Sequence, residues 1–227
     1  MKLQDVKAVT FDLFVTLFDW RGTLIPLIDE LLSIQRVRAD QILDQWRTRQ
    51  IYYTMLDTLL GKGHTPFLEI TRRSLVHTLK SLGIAVDRGA VDKLVNKWND
   101  LKPLPEVDET LGALRGKGYA IAVLSNGDPE TIDSLTKKLK VKFDYLFSAK
   151  QSGLYKPHPK IYLDAAERMR LRPENVAHVS STVYDVVGSK AAGLRAIWID
   201  VAGENFDEVE FEPDVRIRKF SELLDHL

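Results

Sequence analysis

The chain has 227 residues, enough for one large domain or a core with an insert, and either can bury a substantial core. Its 32 lysines and arginines balance 32 aspartates and glutamates, so the charge gives no support for nucleic acid or another polyanion as a partner. The absence of cysteine excludes disulfides, thiolate metal sites and a cysteine nucleophile together. Met1 to Asp5 carries charge too early for a signal peptide, and no apolar run approaches the roughly 20 residues of a membrane span. A cytoplasmic protein with no membrane contact is expected.

Val6 to Phe11 is an apolar run broken only by Lys7 and Thr10, and it reads as a buried strand that ends at Asp12. After Thr16 the pattern turns helical for about eighty residues, with no strand in it. Leu24 to Ile34 and Ile42 to Leu60 carry apolar residues at helical spacing, and Gly61-Lys62-Gly63 breaks the second. Thr65-Pro66 reads as an N-cap and first-turn proline, with Gly83 as the stop. A further helix near Val91 to Trp98 ends before Lys102-Pro103-Leu104-Pro105, whose two prolines suit a stiff hinge. Residues 18–104 are therefore expected to be an all-helical insert that caps a crevice.

From Glu106 helices and strands alternate. Glu106 to Arg115 reads as a helix, Tyr119 to Leu124 as a strand covered on both faces, and Asp128-Pro129 as a helix opening. Tyr145 to Phe147, Val176 to Val179 and Ala196 to Ile199 read as further strands, with a helix opened by Pro159 and another from Asp185 to Ala192. Such alternation implies a parallel sheet. The expected class is α/β, a Rossmann-like doubly wound parallel sheet of residues 1–17 and 105–227 with the helical cap inserted.

In such a sheet ligands sit outside the carboxyl ends of the strands. Asp12 follows the first strand, Ser125 and Asn126 follow Leu124, and Ser180, Ser181, Thr182 and Asp185 follow Val179. Strand-to-helix loops are rich in Ser, Asn and Asp in any case, because these residues cap helices. Capping accounts for Ser125, Asn126, Asp19 and Asp128. It accounts less well for a carboxylate, Lys156 and a second carboxylate delivered to one edge.

The segments Asp12 to Thr16, Ser125-Asn126-Gly127, Lys156-Pro157 and Ser180 to Asp185 resemble, in order and context, the four motifs of the haloacid dehalogenase-like superfamily. Within it the chain is most similar to the L-2-haloacid dehalogenases. Their Ser-Ser-Asn-x-x-Asp motif is matched from Ser180 to Asp185 except at Thr182, and their Trp-Arg-x-x-Gln cap stretch by Trp46, Arg47 and Gln50. Their Lys-Pro with a tyrosine six residues on is matched by Lys156, Pro157 and Tyr162.

The resemblance implies hydrolysis of short L-2-haloacids through an aspartyl ester, with no metal and no cofactor. Asp12 would be the nucleophile, Lys156 would hold it ionised, and Asp185 would activate the hydrolytic water. Arg47 and Asn126 would bind the departing halide. Thr16, Ser125 and Ser180 would bond the nucleophile or the substrate carboxylate, with Tyr162 and Thr182 also lining the site. Phe14, Ile51 and Tyr184 would form an apolar wall. Most superfamily members resemble one another as magnesium phosphatases with a second Asp two residues after the nucleophile, where this chain has Phe14. An alkoxide leaving group needs a positioned acid worth roughly 10²–10⁴ in rate, and a halide does not. A magnesium phosphatase and a catalytically idle binding protein stay as alternatives.

Thr182 in place of Asn, Val15 in place of Gly and Phe14 in place of Tyr depart from the dehalogenase pattern and leave the substrate more open than the reaction. The histidines at 64, 77, 158, 178 and 226 show no ligand spacing and read as structural or surface groups, with His158 near the entrance. Trp20, Tyr52, Tyr53 and Met55 give the insert large side chains that serve a homodimer contact or a buried core equally well.

Overall fold

Strand β1 (Ala8–Phe11) lies inside a parallel sheet, and all four of its residues are buried. The computed structural model describes residues 2–32, 37–61, 63–201, 203, 205–207 and 210–227. From β1 the chain passes through β2 (Phe18–Asp19) into α1 (Trp20–Leu32), α2 (Ala39–Leu60), α3 (Phe67–Ser81) and α4 (Arg88–Asn96), and returns in β3 (Lys102–Pro103). It then alternates through α5 (Val107–Gly116), β4 (Ala120–Ser125), α6 (Pro129–Thr136), β5 (Tyr145–Ser148), α7 (Ala149–Ser152) and α8 (Pro159–Arg168). The last elements are β6 (Val176–Ser180), α9 (Val183–Ala191), β7 (Arg195–Ile199), β8 (Val215–Ile217) and α10 (Leu223–His226).

The sheet has six strands in the order β5-β4-β1-β6-β7-β8, and every neighbouring pair is parallel. The chain builds outward on one side of β1 to β5, then crosses to build outward on the other side to β8. That reversal makes the carboxyl ends of β4, β1 and β6 the place where a crevice must open. The β4 run Ile121 to Ser125 is buried throughout, as both faces of a parallel sheet require.

In the helical segment, Ile42, Leu43, Trp46, Gln50 and Thr54 recur at spacings that hold one face of α2, and all are buried. Trp46 stands edge-on to Trp98 at 5.8 Å, and neither ring has access to solvent. Truncating either ring would cost about 3–5 kcal/mol.

Four sequence expectations need correction. The sheet has a sixth strand, β8, which is only three residues long and carries the exposed Arg216 at its centre. The insert region does contain strand: β2 and β3 pair antiparallel, Phe18 with Pro103 and Asp19 with Lys102. This two-residue ladder clamps the points where the chain leaves and rejoins the sheet, with Pro103 on a pair short enough to spare its missing N–H. Helix α1 begins at Trp20, four residues early, because the Asp19 carboxylate accepts the Gly22 N–H at 2.8 Å. Helix α3 begins at Phe67 with Pro66 as N-cap, one residue later than the Thr65-Pro66 reading. Ile34 and Lys62 lie outside the described residues. Among the described residues no helix is long and apolar enough to cross a membrane.

Candidate active site

Asp12 follows the last residue of β1, and its N–H donates to the Val179 carbonyl at 2.9 Å, which fixes it beside the end of β6. Thr16, one turn on, donates its hydroxyl to Asp12 Oδ2 at 3.1 Å and accepts the Ser181 N–H at 3.0 Å. One oxygen of the carboxylate is thereby oriented, and the loops after β1 and β6 are tied together.

Lys156 comes from the loop between α7 and α8. Its N–H donates to Asn126 Oδ1 at 2.9 Å, so the loop after β4 sets where the lysine enters. The ammonium is wholly buried and donates to Asp12 Oδ1 at 3.2 Å and to Asp185 Oδ2 at 2.8 Å. Asp185 lies in the first turn of α9, where the helix N-terminus adds partial positive charge. Tyr162, from α8, donates its hydroxyl to Asp185 Oδ1 at 2.6 Å. Gly188, one turn beyond Asp185, makes that approach possible: a Cβ there would stand 2.7 Å from the Tyr162 hydroxyl and 2.6 Å from the Pro157 carbonyl.

Burial penalises the Asp185 charge, but His178 and Lys156 beside it prevail and hold its carboxyl well below the usual carboxylate range. Burial likewise works against the Lys156 ammonium, and Asp185 and Asp12 outweigh it, so the lysine titrates above its ordinary value. Tyr162 is pushed well above the ordinary phenol value by burial and then by the Asp185 charge. The three groups are fixed as carboxylate, ammonium and phenol across neutral pH.

The helical segment supplies the other wall. Arg47 on α2 bonds Gln50 Oε1 at 2.6 Å, reaches the Tyr184 hydroxyl at 3.4 Å and stands over the Trp98 ring at 5.8 Å. Gln50 is itself anchored, its amide donating to Thr71 Oγ1 at 2.6 Å. Phe14 stacks on Phe67 at 4.9 Å and meets Trp98 edge-on at 5.4 Å, an apolar lining drawn from both parts of the chain. Gly127 lets this ring lie close, since a Cβ there would sit 2.8 Å from Phe14 Cζ. Ile51 follows Arg47 by one turn on α2 and is half-buried. A cleft of about 620 Å³ runs past the Asp12 loop, lined by Val15, Thr16, Trp20, Ser181, Trp198 and Phe220 among others.

Of the hydroxyls expected at the nucleophile, Thr16 bonds it. Ser125 instead accepts the Gly127 N–H at 3.0 Å, and Ser180 bonds Thr182 through its hydroxyl at 3.2 Å and accepts the Thr182 N–H at 3.1 Å. Both brace the turns that follow their strands. Asp128 occupies the N-cap position of α6, as expected, yet its side chain accepts the N–H groups of Phe67 at 3.1 Å and Leu68 at 3.2 Å. It caps α3 and so joins the sheet to the helical segment.

His178, read from the sequence as a structural or surface group, is buried beside Asp185 and Lys156. It lies within β6 in register with Thr10 on β1, so both side chains emerge on the same face. His178 Nδ1 is 2.9 Å from the Thr10 hydroxyl, and Nε2 is 3.0 Å from Asp185 Oδ2 and 3.5 Å from Lys156 Nζ. Its one signal was a titratable residue inside an apolar strand run two positions before Ser180. Trp98 was likewise read only as the end of a helix. It centres the apolar wall, and its buried indole N–H has no partner.

The magnesium expected of most superfamily phosphatases does not fit these residues. Among the described residues no group of three or more His, Asp or Glu side chains is placed to hold a metal ion. The Lys156 ammonium stands between the two carboxylates, and Phe14 turns a ring where a phosphatase has its second Asp.

A doubly wound parallel sheet with a carboxylate–lysine–carboxylate cluster at its switch point defines a Rossmann-like α/β hydrolase. Residues 6–193 match the family model described as haloacid dehalogenase-like hydrolase, and the chain belongs to that family. It is 33% identical to haloacetate dehalogenase H-2 of Moraxella sp. (strain B) over 217 residues, 95% of each chain. Its fold superposes on the crystal structure of the L-2-haloacid dehalogenase RSc1362 with a TM-score of 0.91 at 26% identity, covering 97% of both chains. It also superposes on the L-2-haloacid dehalogenase of Xanthobacter autotrophicus with chloropropionic acid covalently bound, with a TM-score of 0.83 at 26% identity and 96% of both chains.

Proposed function

We propose that this protein hydrolyses the carbon–halogen bond of short L-2-haloacids, with residues 1–17 and 105–227 as the catalytic core and residues 18–104 as its cap. The observation that carries the reading is the buried Lys156 ammonium bonded to both Asp12 and Asp185. It places a positive charge beside the nucleophile and needs no divalent cation to do so.

Asp12 attacks the halogen-bearing carbon from the side opposite the halogen, and the halide leaves with the bonding pair as an ester forms with inversion. Arg47, a planar cation already turned toward Tyr184, and the Asn126 amide receive the halide. Phe14, Ile51 and Tyr184 exclude water and limit side-chain size, and a substrate oxygen among these rings would give the Trp98 N–H its partner. Water then adds to the ester carbonyl of Asp12 while Asp185 takes its proton. Tyr162 acts by holding Asp185, and Ser125, Ser180 and Thr182 by shaping the turns that present Asn126 and Asp185.

The relatives named above are a haloacetate and an L-2-haloacid enzyme, so the test is halide release from chloroacetate and from each enantiomer of 2-chloropropionate. Release from the L acid that survives a chelator is the expected result. Phosphate release from p-nitrophenyl phosphate that a chelator abolishes would replace the reading with a phosphatase, and no turnover of either class would leave a binding protein. We further infer a cytoplasmic homodimer. The support is the outer face of α2, where Tyr52, Leu59 and Leu60 are exposed, whereas Trp20 packs against the core and Tyr53 and Met55 are half-buried.

A further inference from the structure

We propose that His178 accepts, through Asp185, the net proton released when the Asp12 ester is hydrolysed. The proposal rests on the dehalogenase reading and gives a role to a buried titratable group that the reading leaves idle.

The hydrogen bonds around the imidazole suit the tautomer with its proton on Nδ1. The Thr10 hydroxyl can donate to the Ala177 carbonyl at 3.4 Å while its oxygen accepts from His178 Nδ1–H at 2.9 Å. Nε2 is then the nitrogen that gains or loses a proton, and it faces Asp185 Oδ2 at 3.0 Å and the Lys156 ammonium at 3.5 Å. When protonated it donates to Asp185; when free it accepts from Lys156. The other neighbour is the Tyr162 ring, edge-on at 5.4 Å, and Asp12 lies on the far side of Lys156.

Charge counting selects between the two patterns. Asp12, Asp185, Lys156 and His178 are all buried, and a buried charge is costly unless an opposite charge pairs with it. In the resting site two carboxylates face one ammonium, and a protonated His178 brings the sum to zero. In the ester Asp12 is uncharged, Asp185 and Lys156 balance, and neutral His178 keeps the sum at zero. The proton therefore leaves with the halide and must be replaced during hydrolysis. There the water oxygen bonds to Asp12 Cγ and one O–H bond breaks, its proton passing by Asp185 to His178 Nε2. The Cγ–O bond to the substrate then breaks, and the second water proton goes to the departing oxygen as the product hydroxyl. Asp12 is restored as a carboxylate. Asp185, held by the Lys156 ammonium at 2.8 Å and facing Nε2 at 3.0 Å, is the relay and His178 the store.

The test is single-turnover kinetics with L-2-chloropropionate, following halide release and the mass of the Asp12 peptide. His178→Phe should slow hydrolysis of the ester about a hundredfold or more beyond any change in the rate of halide release. The wild-type hydrolysis step should rise with pH through one ionisation, and the variant should lack that limb. His178→Gln, which keeps a polar side chain but cannot store a proton, should behave like His178→Phe and serves if the latter does not fold. Equal slowing of both steps, or an unchanged pH profile, would overturn the proposal. Failure of the wild-type protein to form any Asp12 ester would instead overturn the dehalogenase reading beneath it.

Discussion

Replacing Lys156 with Met would leave the buried Asp12 and Asp185 without the ammonium that stands between them. Removing one partner from a buried charge network costs about 3–5 kcal/mol, so urea denaturation should show a loss of that size. Halide release should disappear with it, because a protonated Asp12 is no nucleophile. Asp12→Asn is the cleaner probe, since it keeps the shape: halide release should vanish and no ester mass should form on that peptide. Gly188→Ala tests the support around Asp185. Its Cβ would press on the Pro157 carbonyl and the Tyr162 hydroxyl, an overpacking worth about 1–3 kcal/mol. Steady-state kinetics should show kcat falling more than KM rises, because the displaced phenol orients the second half-reaction rather than substrate binding.

Between elements, the contact that matters most is Asp128, which crosses from the loop before α6 to cap α3 with both carboxylate oxygens. An N-cap substitution costs about 0.5–2 kcal/mol, and the negative charge adds attraction to the helix N-terminus. Asp128→Ala should therefore lower Tm by a few degrees in a thermal melt and raise KM, since α3 carries the Phe67 ring that stacks on Phe14. Asp128→Asn should recover much of the loss. A Tyr155 contact reinforces the same seam: its hydroxyl donates to the Thr65 carbonyl at 2.5 Å, and its N–H donates to Thr58 Oγ1 at 2.9 Å. Lys156 is the next residue, so the attachment of the helical segment also steadies the ammonium.

Across the whole molecule, the buried cluster sets a pH window. The carboxyl of Asp185 is depressed, so its stabilisation is full above the unfolded value of about 4 and is lost as pH falls below it. The ammonium of Lys156 is raised, so its share is full below about 10.4 and is lost as pH climbs past that. As far as Asp185 and Lys156 are concerned, stability measured by urea midpoint should be flat between these limits and fall at both ends. Asp185→Asn should flatten the acid fall. In solution, light scattering should report a dimer, and changing Leu59 and Leu60 to Ser should yield a monomer if the exposed face of α2 is the contact.

Read alone, the chain disclosed the parallel sheet, its helical insert and the line of Asp12, Lys156 and Asp185, because periodicity and strand-end polarity are local properties. Short elements escaped it. Three-residue β8 and the two-residue β2–β3 ladder carry too few positions for a period to register, and they exist because neighbouring strands offer them partners. The destinations of side chains escaped it as well. Nothing in the sequence distinguishes Asp128 capping its own helix from Asp128 capping α3, or Ser125 facing a substrate from Ser125 bracing Gly127. His178 is the sharpest case: its meaning comes from register with Thr10 on one strand and from a helix that lowers Asp185 onto its far nitrogen, and only the packed sheet brings those together.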